Sequence, residues 1–148
     1  MRPALVALLV VIGVLAAGCG GQDTAQPSSA MSRPAATGTV SEQAGTVVDR
    51  FIQAANDGDV AALRDLFAPD ASFDRAGTVF AGEEIVDDFL EPDVADAGGR
   101  YQETARRAEG DRLTVTFTFD TGSGGRERFT YSFLIRDGRI AHVVGRYL

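Results

Sequence analysis

The chain has no lysine and no tryptophan, and its 148 residues include one cysteine, Cys19, and one histidine, His142. A lone cysteine has no partner for an internal disulfide. One cysteine and one histidine are also too few ligands for a structural zinc site, and the acids lack the spacing of a calcium-binding loop. The glycine-rich segment 122–125 is not followed by the helix that a phosphate-binding loop requires. The sequence therefore predicts no metal site and no cofactor.

Basic residues are scarce relative to acids. The chain has 14 arginines against 21 aspartates and glutamates, a formal net charge of −7. Nucleic-acid binding requires a dense basic surface, so a nucleic-acid partner is excluded. The folded part is also not expected to lie on anionic lipid. Acids dominate residues 40–97 and arginines dominate 98–148, which we interpret as two solvated faces.

Charged and polar side chains are absent from 4–18, an apolar run of 15 residues that follows Arg2 and ends directly before Cys19. A membrane-spanning helix needs about 20 apolar residues, so the run fits an export signal better than a transmembrane anchor. Leu15–Cys19, LAAGC, resembles the lipobox of bacterial lipoproteins. The resemblance implies a signal peptide over 1–18 and lipidation of Cys19, on the outer face of the cytoplasmic membrane. The alternative is a secreted protein in which this cysteine has no role.

The segment that follows the cysteine has the composition of a linker. Residues 20–38 are rich in Gly, Ser, Thr, Ala and Pro and contain almost no large apolar side chains. Such a segment cannot bury enough surface to offset its ordering entropy, so 19–38 is predicted to be the lipidated cysteine and a flexible tether. Residues 39–148 suit one compact domain with a single core.

Helical spacing of apolar residues predicts three helices in the first half of the domain. Thr39 and Glu42 have the form of a capping box at the start of the first helix, which 56–58, Asn-Asp-Gly, ends. Asp59 is expected to cap the second helix. A third helix is predicted over 83–90, followed by an acidic loop over 91–99.

From Arg100 onwards the pattern changes to the alternation typical of strands. Strands are predicted around 113–120 and 128–136, then from Ile140 to Leu148 after an Asp-Gly hairpin signal, and a short strand is expected over 71–75. The main strands place aromatic residues on one face and polar residues on the other. The expected fold is therefore α+β, with helices covering one side of an antiparallel sheet.

Three segments carry a family resemblance: VVDRFIQAANDGDVAALRDLFAPDASFD (47–74), GEEIVDDFL (82–90) and FTYSFLIRDGRIAHVVGRYL (129–148). They resemble the NTF2-like superfamily, and within it the SnoaL-like group. The resemblance implies a cone made of three N-terminal helices packed on a curved antiparallel sheet, with a mostly apolar pocket inside. It implies little about function, because this fold supports enzymes, adaptors and binding modules alike.

The ketosteroid isomerases of this superfamily give a test of catalysis. Where they have a catalytic tyrosine on the first helix, this chain has Phe51, and where they have a general-base aspartate it has Arg75. Their oxyanion-binding acid is matched by Tyr131. Asp74 lies one residue from the base position, and a shift of one residue along a strand turns the side chain to the other face. Ketosteroid isomerase chemistry is therefore not expected.

The residues predicted to line the pocket are almost all apolar. Asp74 and Tyr131 remain as candidates for acid–base chemistry, whereas His142 alternates with Val143 and is expected to face away from the pocket. The predicted lining residues are Phe51, Phe73, Phe117, Phe119, Phe129, Tyr131, Phe133, Val143 and Tyr147.

The sequence supports three hypotheses about function. The first is a non-catalytic lipoprotein at the cell envelope whose pocket binds a small apolar molecule, or whose surface binds a protein partner. The second is a SnoaL-like enzyme, of isomerase or cyclase type, that uses Tyr131 and Asp74 on a hydrophobic carbonyl compound. The third is a homodimer formed through the polar outer face of the sheet, which Thr114, Thr116, Thr118, Thr130 and Ser132 occupy.

Overall fold

The computed structural model describes residues 36–148, and the predicted signal peptide, Cys19 and most of the predicted tether lie outside the described residues. No helix within 36–148 has the length and apolar character to cross a membrane. The elements in chain order are α1 (Ala36–Asp57), α2 (Val60–Leu66), β1 (Phe67–Arg75), β2 (Thr78–Ala81), the π-helix α3 (Ile85–Ala95), β3 (Arg100–Glu109), β4 (Arg112–Asp120), β5 (Arg126–Arg136) and β6 (Arg139–Tyr147).

The six strands form one curved sheet in the order β2-β1-β6-β5-β4-β3. Every neighbouring pair is antiparallel except β1 and β6, which run parallel. The predicted antiparallel sheet is therefore corrected to a mixed one. The strands β3 to β6 are joined by short connections that enforce antiparallel pairing, whereas β1 and β6 are far apart in sequence and free to pair in parallel.

Helix α1 begins earlier than predicted. It starts at Ala36, so Thr39 lies inside the helix and the predicted capping box is wrong. No proline separates Ala36 from Thr39, and the helix can extend back to that point. The prediction for α2 is confirmed, because the Asp59 side chain accepts a hydrogen bond from the Ala62 N–H at 2.9 Å.

Helix α3 runs through the region that was predicted to be a loop. It spans Ile85–Ala95 with Pro92 inside it, whereas the sequence predicted a helix over 83–90 and a loop over 91–99. In an α-helix the proline ring would clash with the carbonyl one turn back, which is why proline predicts a helix end. The wider π-helical turn, seen in the bond from Asp96 N–H to the Glu91 carbonyl at 2.8 Å, accommodates it.

Strand β1 is also longer than predicted, and β2 was not predicted. β1 starts at Phe67 and turns into β2 through Ala76 and Gly77, both of which have positive φ angles. Asp74 stabilises this turn by accepting a hydrogen bond from the Gly77 N–H at 2.7 Å. The short β2 has little alternation of its own, and its pairing with β1 defines it.

The core lies between the inner face of the sheet and the three helices. Phe51 of α1 packs against Phe133 of β5 with ring centroids 5.5 Å apart, and Phe73 of β1 packs against Phe89 of α3 at 5.2 Å. The predicted alternation of β4 and β5 is confirmed, because the aromatic residues of both strands are buried on this face. Fully burying one such ring contributes about 2–3 kcal/mol. The aromatic face of the sheet therefore fixes which side the helices cover.

Candidate functional site

One small cavity remains between the aromatic side chains at one end of the cone. Its volume is about 30 Å³, which is enough for one or two water molecules. Six of the thirteen lining residues are aromatic and four are charged. The lining residues are Arg75, Ala76, Phe89, Asp93, Val94, Tyr101, Phe119, Glu127, Phe129, Tyr131, Gly145, Arg146 and Tyr147.

Two tyrosine hydroxyls form the polar part of the cavity wall. Tyr101 of β3 and Tyr131 of β5 are each 4% exposed, and their hydroxyl oxygens lie 3.4 Å apart. A phenol has one hydrogen to donate, so one of the two hydrogens serves the bond between them. The second hydrogen has no acceptor among the side chains and carbonyls of 41–148. This phenol pair therefore offers one buried donor to whatever occupies the cavity.

The phenol pair acts as a neutral donor and not as a base. Burial raises the pKa of Tyr101 well above its ordinary value, and the hydrogen bond with Tyr131 offsets only part of this. Burial also raises the pKa of Tyr131, and the neighbouring Tyr101 adds to the effect. Both hydroxyls consequently stay protonated at physiological pH.

The last turn of α1 positions Tyr101. The Asn56 side chain donates from Nδ2 to the Tyr101 carbonyl at 3.0 Å and accepts from the Tyr101 N–H at 2.7 Å. These two bonds attach the start of β3 to the end of α1. Asn56 therefore holds the first of the two phenols in place, in addition to lying where the helix ends.

A glycine on β6 gives Tyr131 its space. Gly145 pairs with Tyr131 across β5 and β6, and a Cβ at this position would lie 3.0 Å from Tyr131 Cε1. Such a contact is closer than carbon atoms normally approach. The missing side chain of Gly145 thus lets the Tyr131 ring lie flat against β6 beside the cavity.

Arg75 lies at the mouth of the cavity. Its Nη1 donates to Asp93 Oδ2 at 2.6 Å, and its guanidinium carbon lies 4.6 Å from the centroid of the Phe89 ring. Partial burial by itself lowers the pKa of Arg75, but the bond with Asp93 and the proximity of Tyr147 outweigh burial and raise it. The guanidinium is thus a permanent positive charge held by an acid and an aromatic ring.

Glu127 is a second acid at the mouth. It lies near the start of β5, two and four residues before Phe129 and Tyr131, and so on the same face. Its side chain makes no ion pair with any arginine among the described residues. Glu127 is therefore a carboxylate in the cavity wall that no described partner neutralises.

The structure divides the predicted lining residues into two groups. Phe119, Phe129, Tyr131 and Tyr147 line the cavity, and Tyr147 is 54% exposed at its mouth. The others are buried in the core and do not reach it: Phe51, Phe73, Phe117, Phe133 and Val143. These side chains fill most of the cone that the sequence suggested was a pocket.

The two predicted acid–base candidates do not meet. Asp74 lies on the opposite face of β1 from Phe73, where its Oδ2 accepts from Arg146 Nη2 at 2.9 Å. The bonds from Arg146 and from the Gly77 N–H lower the pKa of the Asp74 carboxyl. The expected pairing of Asp74 with Tyr131 is therefore wrong, because the pleat of β1 turns the carboxylate away from the cavity.

His142 also faces away from the cavity, as the sequence predicted. Its Nδ1 lies 2.8 Å from Arg112 Nη2 on the outer face of the sheet. An arginine cannot accept a hydrogen bond, so Nδ1 is the acceptor and the ring is neutral with its proton on Nε2. Partial burial lowers the pKa of His142, and the charge of Arg112 lowers it further.

Arg75, Tyr101 and Glu127 were not among the predicted cavity residues. Arg75 lies two residues after Phe73, and Glu127 lies two residues before Phe129. Extending the alternation of each strand by two residues would therefore have placed both side chains on the inner face. Tyr101 is the one buried residue of β3, a strand whose other members are largely exposed. No metal-binding group of three or more His, Cys, Asp or Glu residues is found in the part of the chain that the structure describes.

A family model for the SnoaL-like domain matches residues 48–143, most of the cone and both phenols. The chain belongs to the SnoaL-like domain family. This confirms the resemblance found in the sequence and, with it, a cone of three helices on a curved sheet. The chain matches no curated protein.

Solved structures support the same fold. A proposed polyketide cyclase from Sinorhizobium meliloti is 26% identical with a TM-score of 0.62, over 68% of this chain and 94% of that one. An NTF2-like protein of unknown function from Mesorhizobium loti is 24% identical with a TM-score of 0.65, over 73% and 93%. A proposed polyketide cyclase from Xanthomonas campestris pv. campestris is 21% identical with a TM-score of 0.63, over 74% and 93%.

Proposed function

We propose that this chain is a lipid-anchored SnoaL-like protein of the cell envelope that binds a small, mainly apolar molecule in its cone without transforming it. The observation that carries the proposal is the buried phenol pair in the wall of an aromatic cavity, which has one more O–H than the bond between the two hydroxyls uses. A ligand oxygen would satisfy this donor, which otherwise loses a hydrogen bond that it makes in water. The signal-like start and Cys19 support the membrane location.

The size of the cavity requires one side chain to move when a ligand enters. A volume of about 30 Å³ holds water, whereas an engineered cavity of about 150 Å³ is needed to hold benzene. Tyr147 is the exposed aromatic residue of the wall. Its outward rotation would open the mouth while leaving the phenol pair in place.

The binding function is tested with an uncharged aromatic ketone, acetophenone, and with ethylbenzene, which has the same size and no oxygen. Acetophenone should bind more tightly, and the double variant Tyr101→Phe/Tyr131→Phe, which has neither hydroxyl, should reduce its affinity about fivefold, the effect of one net hydrogen bond of about 1 kcal/mol. Ethylbenzene binding should change much less in the double variant. Titration calorimetry measures the affinity of each compound for the wild type and for the variant. If neither compound binds to the wild-type chain, the proposed function is refuted.

The anchor is tested separately in the cell. Cys19→Ala should move the protein from the membrane fraction to the soluble exported fraction, because the acyl chains on the cysteine provide the apolar area that holds it. Immunoblots of the two fractions measure the change. A Ser28→Ala variant, in the same segment, should remain with the membrane. If Cys19→Ala also remains there, the cysteine is not the anchor.

A second function, acid–base catalysis on a hydrophobic carbonyl compound, is supported by Glu127. Its carboxylate lines the same cavity as the phenol pair and has no ion-pair partner among the described residues. A carboxylate can remove a proton next to a carbonyl while a phenol holds the carbonyl oxygen. The relative from Sinorhizobium meliloti is itself a proposed polyketide cyclase.

Deuterium exchange separates the two functions. If the chain catalyses enolisation, the methyl protons of acetophenone exchange with D₂O faster in its presence, and NMR follows the loss of their signal. Glu127→Gln should then abolish the acceleration, whereas Asp74→Asn should leave it intact because Asp74 lies on the other face. Exchange at the uncatalysed rate would leave ligand binding as the function.

A further inference from the structure

We propose that the molecule bound in the cavity is a small aromatic carboxylate, held between the Arg75 guanidinium and the phenol pair of Tyr101 and Tyr131. This inference rests on the proposed binding function and specifies the chemistry of the ligand. It depends on three features of the mouth: the donors that converge on the cavity, the way Arg75 is held, and the aromatic wall.

Hydrogen-bond donors converge on the cavity from two sides. The phenol pair contributes one unused O–H from β3 and β5, and Arg75 reaches the same lining from β1. The positive charge of Arg75 opposes the rise in the pKa of both phenols, whereas Asp93 and Glu127 add to the rise at Tyr101. A carboxylate oxygen that takes the place of Asp93 would therefore meet a neutral donor and the positive charge of Arg75 together.

Arg75 is held in a way that leaves it able to bind a second carboxylate. A guanidinium has five N–H donors, and the bond from Nη1 to Asp93 uses one of them. Phe89 packs on the guanidinium and fixes its orientation. Arginine binds carboxylates through two parallel hydrogen bonds, which gives a planar acid a defined position.

Asp93 is suited to be displaced by such a ligand. Its side chain is 50% exposed, so it can return to water when the carboxylate of the ligand takes its place. The exchange replaces one ion pair with another and leaves no charge buried without a partner. The Arg75–Asp93 pair thus closes the empty mouth and presents the arginine to an incoming acid.

The wall favours a planar aromatic body behind the carboxylate. Phe119, Phe129 and Tyr147 line the cavity, and the rings of Tyr147 and Phe129 are nearly perpendicular, with their centroids 6.1 Å apart. A ligand ring that replaces the Tyr147 ring would take over this edge-to-face contact. Such contacts contribute about 0.5–1.5 kcal/mol beyond the buried area.

Glu127 opposes an anion and provides a test of its own. Its carboxylate lies in the same lining with no ion-pair partner among the described residues, so it should repel an acid and attract an amine. We expect the charge of Arg75 to decide which ligand binds, because Arg75 shares the cavity lining with the phenol pair. A phenol O–H can donate to a carboxylate, whereas an ammonium group has no acceptor for it. Glu127→Gln should therefore strengthen the binding of a carboxylate.

The experiment measures the affinities of benzoate, benzamide and benzylamine for the purified full chain by titration calorimetry. Benzoate should bind at least about tenfold more tightly than benzamide, the effect of one charge-assisted hydrogen bond. Arg75→Gln should remove this preference by lowering the affinity for benzoate to that for benzamide. Asp93→Asn should strengthen benzoate binding several-fold, because it removes the competing carboxylate.

The outcomes separate the inference from the function on which it rests. Equal affinities for benzoate and benzamide, or preferential binding of benzylamine, would overturn the inference while the cavity still binds a ligand. Failure of the wild-type chain to bind any of the three overturns both. If Arg75→Gln does not fold, the exposed Asp93→Asn variant decides. The proposal is contradicted if Asp93→Asn weakens benzoate binding or leaves it unchanged.

Discussion

Single residues determine how much room the cavity has, and Gly145 is one of them. A Cβ on Gly145 would lie 3.0 Å from Tyr131 Cε1 and 3.3 Å from the Asp74 carbonyl oxygen. The carbonyl belongs to the β1 backbone and cannot move aside without disturbing the parallel pairing with β6. The phenol ring would therefore have to rotate into the cavity.

Gly145→Ala should lower the free energy of unfolding by about 1–3 kcal/mol, the usual effect of inserting a methyl group into a packed site. It should also reduce acetophenone binding, because the displaced ring occupies the cavity. Urea unfolding and calorimetry measure the two effects. The matched control is Gly45→Ala inside α1, where the added Cβ would make an ordinary contact at 3.4 Å. Alanine should stabilise that helix by about 0.5–1 kcal/mol, and destabilisation of both variants alike would contradict the role given to Gly145.

Asp74 is expected to stabilise the fold in a pH-dependent way. Its pKa is lowered by the bonds from Arg146 and the Gly77 N–H, so the folded chain holds the carboxylate ionised to lower pH than the unfolded chain does. The stabilisation is complete above the unfolded pKa and disappears as the pH falls through the folded pKa. Asp74→Asn should therefore unfold at a lower temperature than the wild type at pH 7, and the difference should shrink as the pH falls below the ordinary pKa of an aspartate and through the lowered pKa of Asp74. Thermal unfolding monitored by circular dichroism measures this, with Asp70→Asn on the same strand as control, and a pH-independent difference would contradict the explanation.

At the level of elements, the short helix α2 depends on its first residue. It has seven residues, and a helix of this length is not stable by itself in water. The bond from the Ala62 N–H to Asp59 satisfies one of the amides left unpaired at its start. Leu63 and Leu66 then anchor it in the core.

Asp59→Ala should lower the free energy of unfolding by about 1 kcal/mol, because the amide loses its acceptor. Chemical denaturation of both proteins gives the value. Asp65→Ala is the matched control, since Asp65 is an exposed acid in the last turn of the same helix and should have an effect near zero. Equal losses in the two variants would mean that charge, and not the cap, is responsible.

The elements with the strongest local patterns were those that the sequence could predict. The aromatic residues of β4 and β5 alternate with threonine and serine, and the hairpin at 137–138 has an Asp-Gly signal, so these strands and their buried face followed directly. Strand β2 and the parallel pairing of β1 with β6 depend on contacts between distant segments. No local pattern contains that information.

The cavity was harder to predict than the fold, for reasons specific to its residues. The sequence predicted that the third helix ends at Leu90, yet the π-helix continues past Pro92 and carries Asp93 to the mouth beside Arg75. Tyr101 is held by Asn56, 45 residues away in the chain. The sequence predicted the face that Tyr131 occupies, but the partners that give it a function come from α1, α3 and β3.

At the scale of the whole molecule, the outer face of the sheet is left open. The three helices pack on the inner face, whereas Thr116, Thr130 and Val144 on the outer face are only partly buried among the described residues. The chain also carries a net charge of −7, so two copies repel one another at long range. Salt screens that repulsion over about 10 Å at 0.1 M ionic strength.

We expect two copies to associate through this face, more strongly at higher salt. Sedimentation velocity at increasing concentration should show a dimer, and Thr130→Arg should shift it to monomer because it places like charges opposite each other at a two-fold interface. Ser123→Arg adds the same charge in the 121–125 loop and should leave the dimer intact. Both variants should keep the unfolding temperature of the wild-type monomer, since surface substitutions change stability by about 0.5 kcal/mol or less. A strictly monomeric profile at high concentration and high salt would exclude a homodimer, and the open face would then be available to a different protein.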